Sequence, residues 1–311
     1  MTIISTMCKL LFAMVLGYFL FKKGILNKDI NKNISNLIVQ VTCPCLIVCS
    51  VATVPHGGGI EIVKLLLAGV VVYIITPLFA RFITKVMRVP AHLRGTYMCM
   101  FIFANSMFMG YPVVQALYGD MAIFYCTIFN MPFNILYFSL AMNYFKKDAA
   151  IGAGSYQKEK INPKNFINMG IIASIVALII YFVRIPVPTL VYDCLGFVGD
   201  ITTPLSMVII GSSLAAVSLK EIKTEKGIWP MLPIRLALLP FIVWCIMHLF
   251  TKDPMLIGIC TVSVGMPVAS LVAMGSAKYE RQGKCASIGV AVSTIFSMVS
   301  IPIMAILLGV A

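Results

Sequence analysis

Long apolar runs alternate with short polar segments along the whole of this chain, and the runs share one length. Ten of them, at approximately 2–21, 34–54, 62–84, 95–118, 121–145, 166–184, 196–218, 232–250, 255–277 and 286–309, match the roughly 20 helical residues needed to cross a bilayer core. Backbone polar groups must be paired within hydrocarbon, so each run is predicted to be a helix, and the fold class is all-α integral membrane. The segment 190–195 follows the helix-breaking run IPVP at 185–188 and is expected to lie along the interface before the seventh span. The first run has neither a basic leader nor a small-residue cleavage signature and is read as a retained helix.

Composition removes the alternative of a water-soluble domain. Sixty per cent of the 311 residues are hydrophobic and 11% are charged, with a mean hydropathy of +0.98, whereas soluble domains carry about a quarter of charged residues. So few charges cannot supply a polar exterior, and a lipid-facing exterior needs none. The net charge of +13 would fit a nucleic-acid partner if the cations formed a patch, but they are distributed by topology. Of the 24 Lys and Arg residues, all but Lys9, Lys64, Arg184 and Lys252 fall in or beside the five loops expected on one side. Cytoplasmic loops are enriched in these residues, so both termini are predicted to face outside, in the plasma (inner) membrane, with the bilayer as partner and no nucleic acid.

The longest polar stretch, KKDAAIGAGSYQKEKINPKN at 146–165, divides the spans into five and five. It is expected to be a cytoplasmic linker between a first repeat at 1–145 and a second at 166–311. Five is odd, so the second set enters the membrane in the opposite sense, the condition for an inverted repeat. VTCPCLIV (41–48) matches ITTPLSMV (201–208), each with Thr two residues before Pro. MGYPVVQALYG (109–119) matches VGMPVASLVAMG (264–275), and TIFNMPFNIL (127–136) resembles TIFSMVSIPIMAIL (294–307).

Proline removes a backbone donor and clashes with the preceding turn, and neighbouring glycine eases unwinding. Inside a membrane such breaks persist where protein or an internal cavity satisfies the freed groups. The fourth span combines Asn105, Ser106, Gly110, Tyr111 and Pro112, and the ninth combines Ser263, Gly265, Met266, Pro267 and Ser270. These are the candidate substrate-binding residues. Unwound halves present helix N-termini that suit an anion and freed carbonyls that suit a cation.

FANSMFMGYPVVQALYG (103–119), DITTPLSMVIIGSSLA (200–215) and MPVASLVAMGSAKYE (266–280) resemble the auxin efflux carrier family, within the bile acid/sodium symporter-like superfamily. The resemblance implies that spans four and nine cross at Pro112 and Pro267. Spans three, four, five, eight, nine and ten would form a mobile transport domain, and spans one, two, six and seven a scaffold that pairs into a homodimer. It further implies an elevator-type secondary carrier. The ninth span has no Asn to mirror Asn105, and the long cytoplasmic loop of plant members is missing, which argues against a hormone substrate. The small bacterial-type members that the chain resembles are associated with organic acids such as malate or malonate, the substrate class the resemblance implies.

Asn130 and Asn134 lie one turn apart on the fifth span, Ser293 and Thr294 occupy the related part of the tenth, and Asp200 precedes Pro204 by one turn. These five are the coupling-ion candidates, for a proton or sodium ion; no cofactor is implied. Cys43, Cys45 and Cys49 have thiols that would suit a soft ion, but the matching Pro204 lacks cysteines, and they are read as small apolar residues with no metal site. His56, His92 and His248 lie at span ends or in loops, with no nucleophile-base pair, which argues against an intramembrane enzyme. A sodium-coupled symporter of a larger amphipathic anion and a non-transporting ligand sensor are the alternatives the sequence leaves open.

Overall fold

The computed structural model describes residues 2–51, 59–153, 169–217, 222–223, 225–276 and 279–307. Among them the secondary structure is helical, apart from one isolated antiparallel bridge between Ala104 and Val268. In chain order the α-helices are α1 (Thr2–Lys22), α2 (Lys28–Leu37), α3 (Cys43–Ser50), α4 (Gly59–Val86), α5 (Arg94–Ile102), α6 (Tyr111–Tyr118), α7 (Met121–Phe129), α8 (Met131–Leu136) and α9 (Met142–Gly152). They continue with α10 (Met169–Val183), α11 (Thr189–Gly199), α12 (Thr202–Ala215), α13 (Ile228–Pro233), α14 (Leu239–Phe250), α15 (Pro254–Gly265), α16 (Ser270–Ser276) and α17 (Glu280–Leu307).

Five continuous helical stretches among the described residues are long and apolar enough to cross a bilayer: Lys28–Ser50, Gly59–Val86, Thr189–Ala215, Ile228–Phe250 and Arg281–Met304. Met169–Val183 and Pro254–Gly265 are shorter apolar helices. Across the helices from α1 to α17, Phe12, Leu78, Phe82, Phe197, Leu249 and Ile306 are all largely exposed, an exterior that suits hydrocarbon and not water.

Prolines shape these helices through widened turns. Three of the four π-turns among the described residues, at Ile38–Thr42, Ser106–Gly110 and Ile234–Leu238, each end two residues before a proline: Pro44, Pro112 and Pro240. A proline ring collides with the carbonyl four residues back, and adding a residue to that turn moves the carbonyl aside. The helix then continues past the proline instead of ending at it.

α1 runs against α12, with contact so close that a Cβ at Gly211 would stand 1.8 Å from the Met14 carbonyl oxygen and one at Gly17 would stand 2.0 Å from that of Val208. Small residues permit such approach of backbones within lipid. Asn31 and Ser212 exchange hydrogen bonds of 2.8 and 3.0 Å between α2 and α12. The hydroxyls of Thr42 and Thr202, matched in the sequence motifs, are 2.9 Å apart and buried. Elsewhere α4 packs on α5, α7 and α14, and α3 packs on α10 and α11.

The expected linker is helical at its start, through Gly152, and residues 154–168 lie outside the described residues. Asp148, in that extension, is buried and accepts hydrogen bonds from the backbone N–H groups of Gly95 and Thr96 at 3.0 and 2.7 Å and from the Thr96 hydroxyl at 2.9 Å. A carboxylate placed on the unpaired donors of a helix N-terminus anchors α5 to α9.

Candidate functional site

The fourth and ninth predicted spans are both interrupted, and the two interruptions lie side by side. α5 stops at Ile102, Phe103 and Ala104 run extended, and the chain turns at Asn105 into the π-turn at Ser106. α15 stops at Gly265, and residues 266–269 run extended to α16. Asn105 donates its backbone N–H to the Pro267 carbonyl at 2.8 Å, and Ala269 donates its own to the Phe103 carbonyl at 2.9 Å. The freed backbone of each helix is therefore satisfied by the other, which makes the double break tolerable in the interior of a helical bundle. Ser293 accepts the Val268 N–H at 3.1 Å, completing the pairing from α17.

The crossing in the first half falls at 103–105, ahead of Pro112. Pro112 is instead buried in the first turn of α6, where its missing donor costs least and the π-turn before it absorbs its ring. Pro267 lies within the break itself. Gly110 brings the backbone against Met266, whose Cγ would be 3.3 Å from a Cβ there, and Gly265 packs on the Met304 side chain.

A hydrogen-bond chain gathers around the crossing. The Tyr73 hydroxyl donates to Asn130 Oδ1 at 2.7 Å. Asn130 Nδ2 donates to the Cys126 carbonyl and to Ser263 Oγ, both at 2.8 Å. Ser263 Oγ is 3.1 Å from Ser106 Oγ, and the Ser106 hydroxyl also lies 3.3 Å from the Ser263 carbonyl. Four elements thus meet: α4, the end of α7, the π-turn after the first break, and α15. Asn105 Nδ2 reaches toward Ser270 Oγ at 3.5 Å, and the hydroxyls of Tyr111 and Thr127 are 3.0 Å apart.

A cleft of about 30 Å³ opens on this cluster, enough for one or two water molecules. Asn105, Ser106, Tyr111, Thr127, Asn130 and Ala269 line one side, and Ile47 of α3 with Gly170 and Ser174 of α10 line the other. Of the predicted substrate residues, the crossing brings together Asn105, Ser106, Ser263, Pro267 and Ser270, with Gly110, Tyr111, Gly265 and Met266 packed around them. Among the coupling-ion candidates Asn130 is in the chain of bonds. Thr294 donates to the Val290 carbonyl at 2.7 Å, and Asp200 is exposed at the bend between α11 and α12 and takes no part in the cluster. The Asn134 side chain lies outside the described residues.

Two participants escape a sequence reading. Tyr73 sits in an apolar run whose glycine and proline, Gly69 and Pro77, each lie a turn away and leave the helix continuous, so nothing marks it. Arg235 counts by position as a loop cation, yet its helix begins at Ile228 and carries it to full burial. There Nη1 donates to the Val264 carbonyl at 2.7 Å, at the end of α15, where a helix dipole favours a cation.

Comparison with curated proteins gives no match. A family model does match, over residues 2–305, nearly the whole chain, and it is that of a membrane transport protein. With interrupted helices paired at their breaks and an apolar exterior already in place, the chain belongs to the membrane transport protein family that includes the auxin efflux carriers.

Proposed function

We propose that the protein is an elevator-type secondary carrier for a small organic anion, a carboxylate of the malate or malonate class, bound in the cleft beside the crossing. The observation that carries this reading is the reciprocal pairing of the two breaks, Asn105 N–H to the Pro267 carbonyl and Ala269 N–H to the Phe103 carbonyl. Broken helices with polar side chains at bilayer depth are the usual form of a carrier's binding site, and they present N-terminal donors to an anion. The whole chain is read as ten spans in two inverted five-helix repeats. The Thr42–Thr202 contact between matched motifs supports that symmetry.

The packing supports a division of labour. α1, α2, α3, α10, α11 and α12 make their main contacts among themselves, as do α4 to α9 with α13 to α17, and the cleft lies between the two groups. Its volume of about 30 Å³ is that of one or two water molecules, so loading an organic acid calls for the two groups to shift relative to one another, and an elevator-type carrier moves one such group along the other. The scaffold group would pair in a homodimer. A proton or sodium ion is the coupling ion this reading expects, with Asn130 the candidate that borders both cleft and crossing.

The purified protein should be melted against small carboxylates, with and without sodium and at two pH values, since a ligand that binds the folded state raises its melting temperature. The expected result is a rise with a di- or hydroxycarboxylate in the wild type. Asn105→Ala should weaken that ligand about tenfold, the size of one lost polar contact, and Pro267→Ala should weaken it by relaxing the fixed backbone of the second break, both while leaving expression intact. Unaltered ligand response in both variants would remove the crossing as the site.

A further inference from the structure

Arg235 is the one fully buried cation among the described residues, and it is only partly satisfied. Its Nη1 bonds the Val264 carbonyl, whereas Nε and Nη2 have no hydrogen-bond partner. No carboxylate among the described residues lies in ion-pair contact with it. An uncompensated buried charge is strongly unfavourable, and a guanidinium used only to cap one carbonyl would not need to leave two donors empty.

The identity of the empty atoms is informative. Nε and Nη2 form the side edge of the planar guanidinium, two parallel N–H donors spaced to fit both oxygens of a carboxylate. The filled atom, Nη1, faces the other way and holds the plane against the end of α15. The group is therefore anchored by one corner with its bidentate edge vacant.

Arg235 does not itself line the cleft, but its neighbours lead from it to the crossing. Val264 is adjacent to Ser263, which bonds Asn130 and Ser106. Tyr73, within electrostatic range of Arg235, bonds Asn130, and Asn130 lines the cleft. Two further buried hydroxyls without partners, Thr76 one turn along α4 from Tyr73 and Thr261 one turn before Val264, belong to the same helices.

We infer that the free edge of Arg235 receives a carboxylate of the transported anion when the cleft opens, making this residue the determinant that selects anions over neutral analogues. The inference rests on the organic-anion reading above and names the group that would carry its selectivity. Without a bound anion the site holds an unpaired cation, which the apolar exterior cannot relieve; the anion supplies the missing charge.

The test compares malonate with its neutral diamide in the wild type, Arg235→Met and Arg235→Lys, by melting and by direct binding. Methionine fills similar volume and removes a buried charge, so unliganded Arg235→Met is expected to melt at or above the wild-type temperature. Its malonate affinity should fall at least about tenfold, with no change toward the diamide. Arg235→Lys keeps the charge without the fork and should lie between. Malonate affinity within about twofold of wild type in Arg235→Met would overturn the inference. So would an unliganded Arg235→Met that melts lower or fails to fold, since that is the behaviour of a structural cap on α15. A wild type that responds to no carboxylate would overturn the organic-anion reading and this inference together, a result distinct from either of those.

Discussion

Gly211→Ala is expected to destabilise the protein by about 3 to 5 kcal/mol, although the same exchange in an exposed helix stabilises it by up to about 1 kcal/mol. A Cβ at this position would stand 1.8 Å from the Met14 carbonyl oxygen, and the obstacle is backbone, which cannot rotate aside as a side chain can. α1 and α12 would have to separate by more than an ångström. That movement pulls on the Asn31–Ser212 pair and on the Thr42–Thr202 contact, each worth about 1 kcal/mol. Overpacking itself costs about 1 to 3 kcal/mol, and the sum is a large part of an ordinary stability. Melting in detergent checks it, with Gly59→Ala as the control: there the nearest atom to a new Cβ is a Phe182 ring carbon at 3.6 Å, and the change should be near neutral. An unaltered melting temperature in Gly211→Ala would mean that α1 and α12 do not approach so closely.

Asn130→Leu should be comparably severe and should end ligand binding as well. Leucine has nearly the same shape but leaves the Tyr73 hydroxyl without its partner and takes one bond each from Ser263 Oγ, which keeps Ser106, and from the Cys126 carbonyl, which keeps the Asn130 backbone N–H. A buried polar group stripped of its partner costs about 1 to 3 kcal/mol, whereas removing both members of a pair is far milder. The expected loss is therefore about 2 to 4 kcal/mol, and a second substitution should recover part of it. Tyr73→Phe alone should destabilise by about 1 kcal/mol, yet in the Asn130→Leu background it should be neutral or stabilising. That coupling, read from a double-mutant cycle of melting free energies, is specific to the bond. Strict additivity would show that Tyr73 and Asn130 act independently.

Much of this architecture is legible in the residues themselves. Lipid exposure follows from a charge count, and the breaks follow from Gly and Pro set beside Asn and Ser. The place of the crossing was harder to read. Pro112 marks a disturbed helix, but a π-turn can accommodate a proline without a break, and the chain actually opens at Phe103 to Asn105, where no residue is a breaker. That opening depends on the ninth span presenting the Pro267 carbonyl and the Ala269 N–H, a tertiary pairing that no local pattern encodes.

Charge was legible in bulk and misleading in detail. Arg235 lies where hydropathy places the edge of a span, and the Pro-containing turn Ile228–Pro233 before it looks like loop; the helix starts earlier, and burial follows. Asp148 looks like a linker acid beside two lysines, yet α9 continues to Gly152 and delivers it to the N-terminus of α5. Helix length has the same ambiguity. Among the described residues, the fourth, fifth and ninth apolar runs are continuous in hydropathy but divided in the backbone, at 103–105, at Asn130 and at 266–269, so none of the three gives one long helix.

The most direct measurement is uptake of labelled malonate into proteoliposomes holding the purified protein, with proton and sodium gradients imposed in turn. A carrier loaded beside the crossing predicts saturable uptake by the wild type, dependent on one of the gradients and strongly reduced in Asn105→Ala reconstituted to the same level. Malonate binding at wild-type affinity with no flux under any gradient would contradict it, and would make the chain a ligand sensor built on a transporter fold.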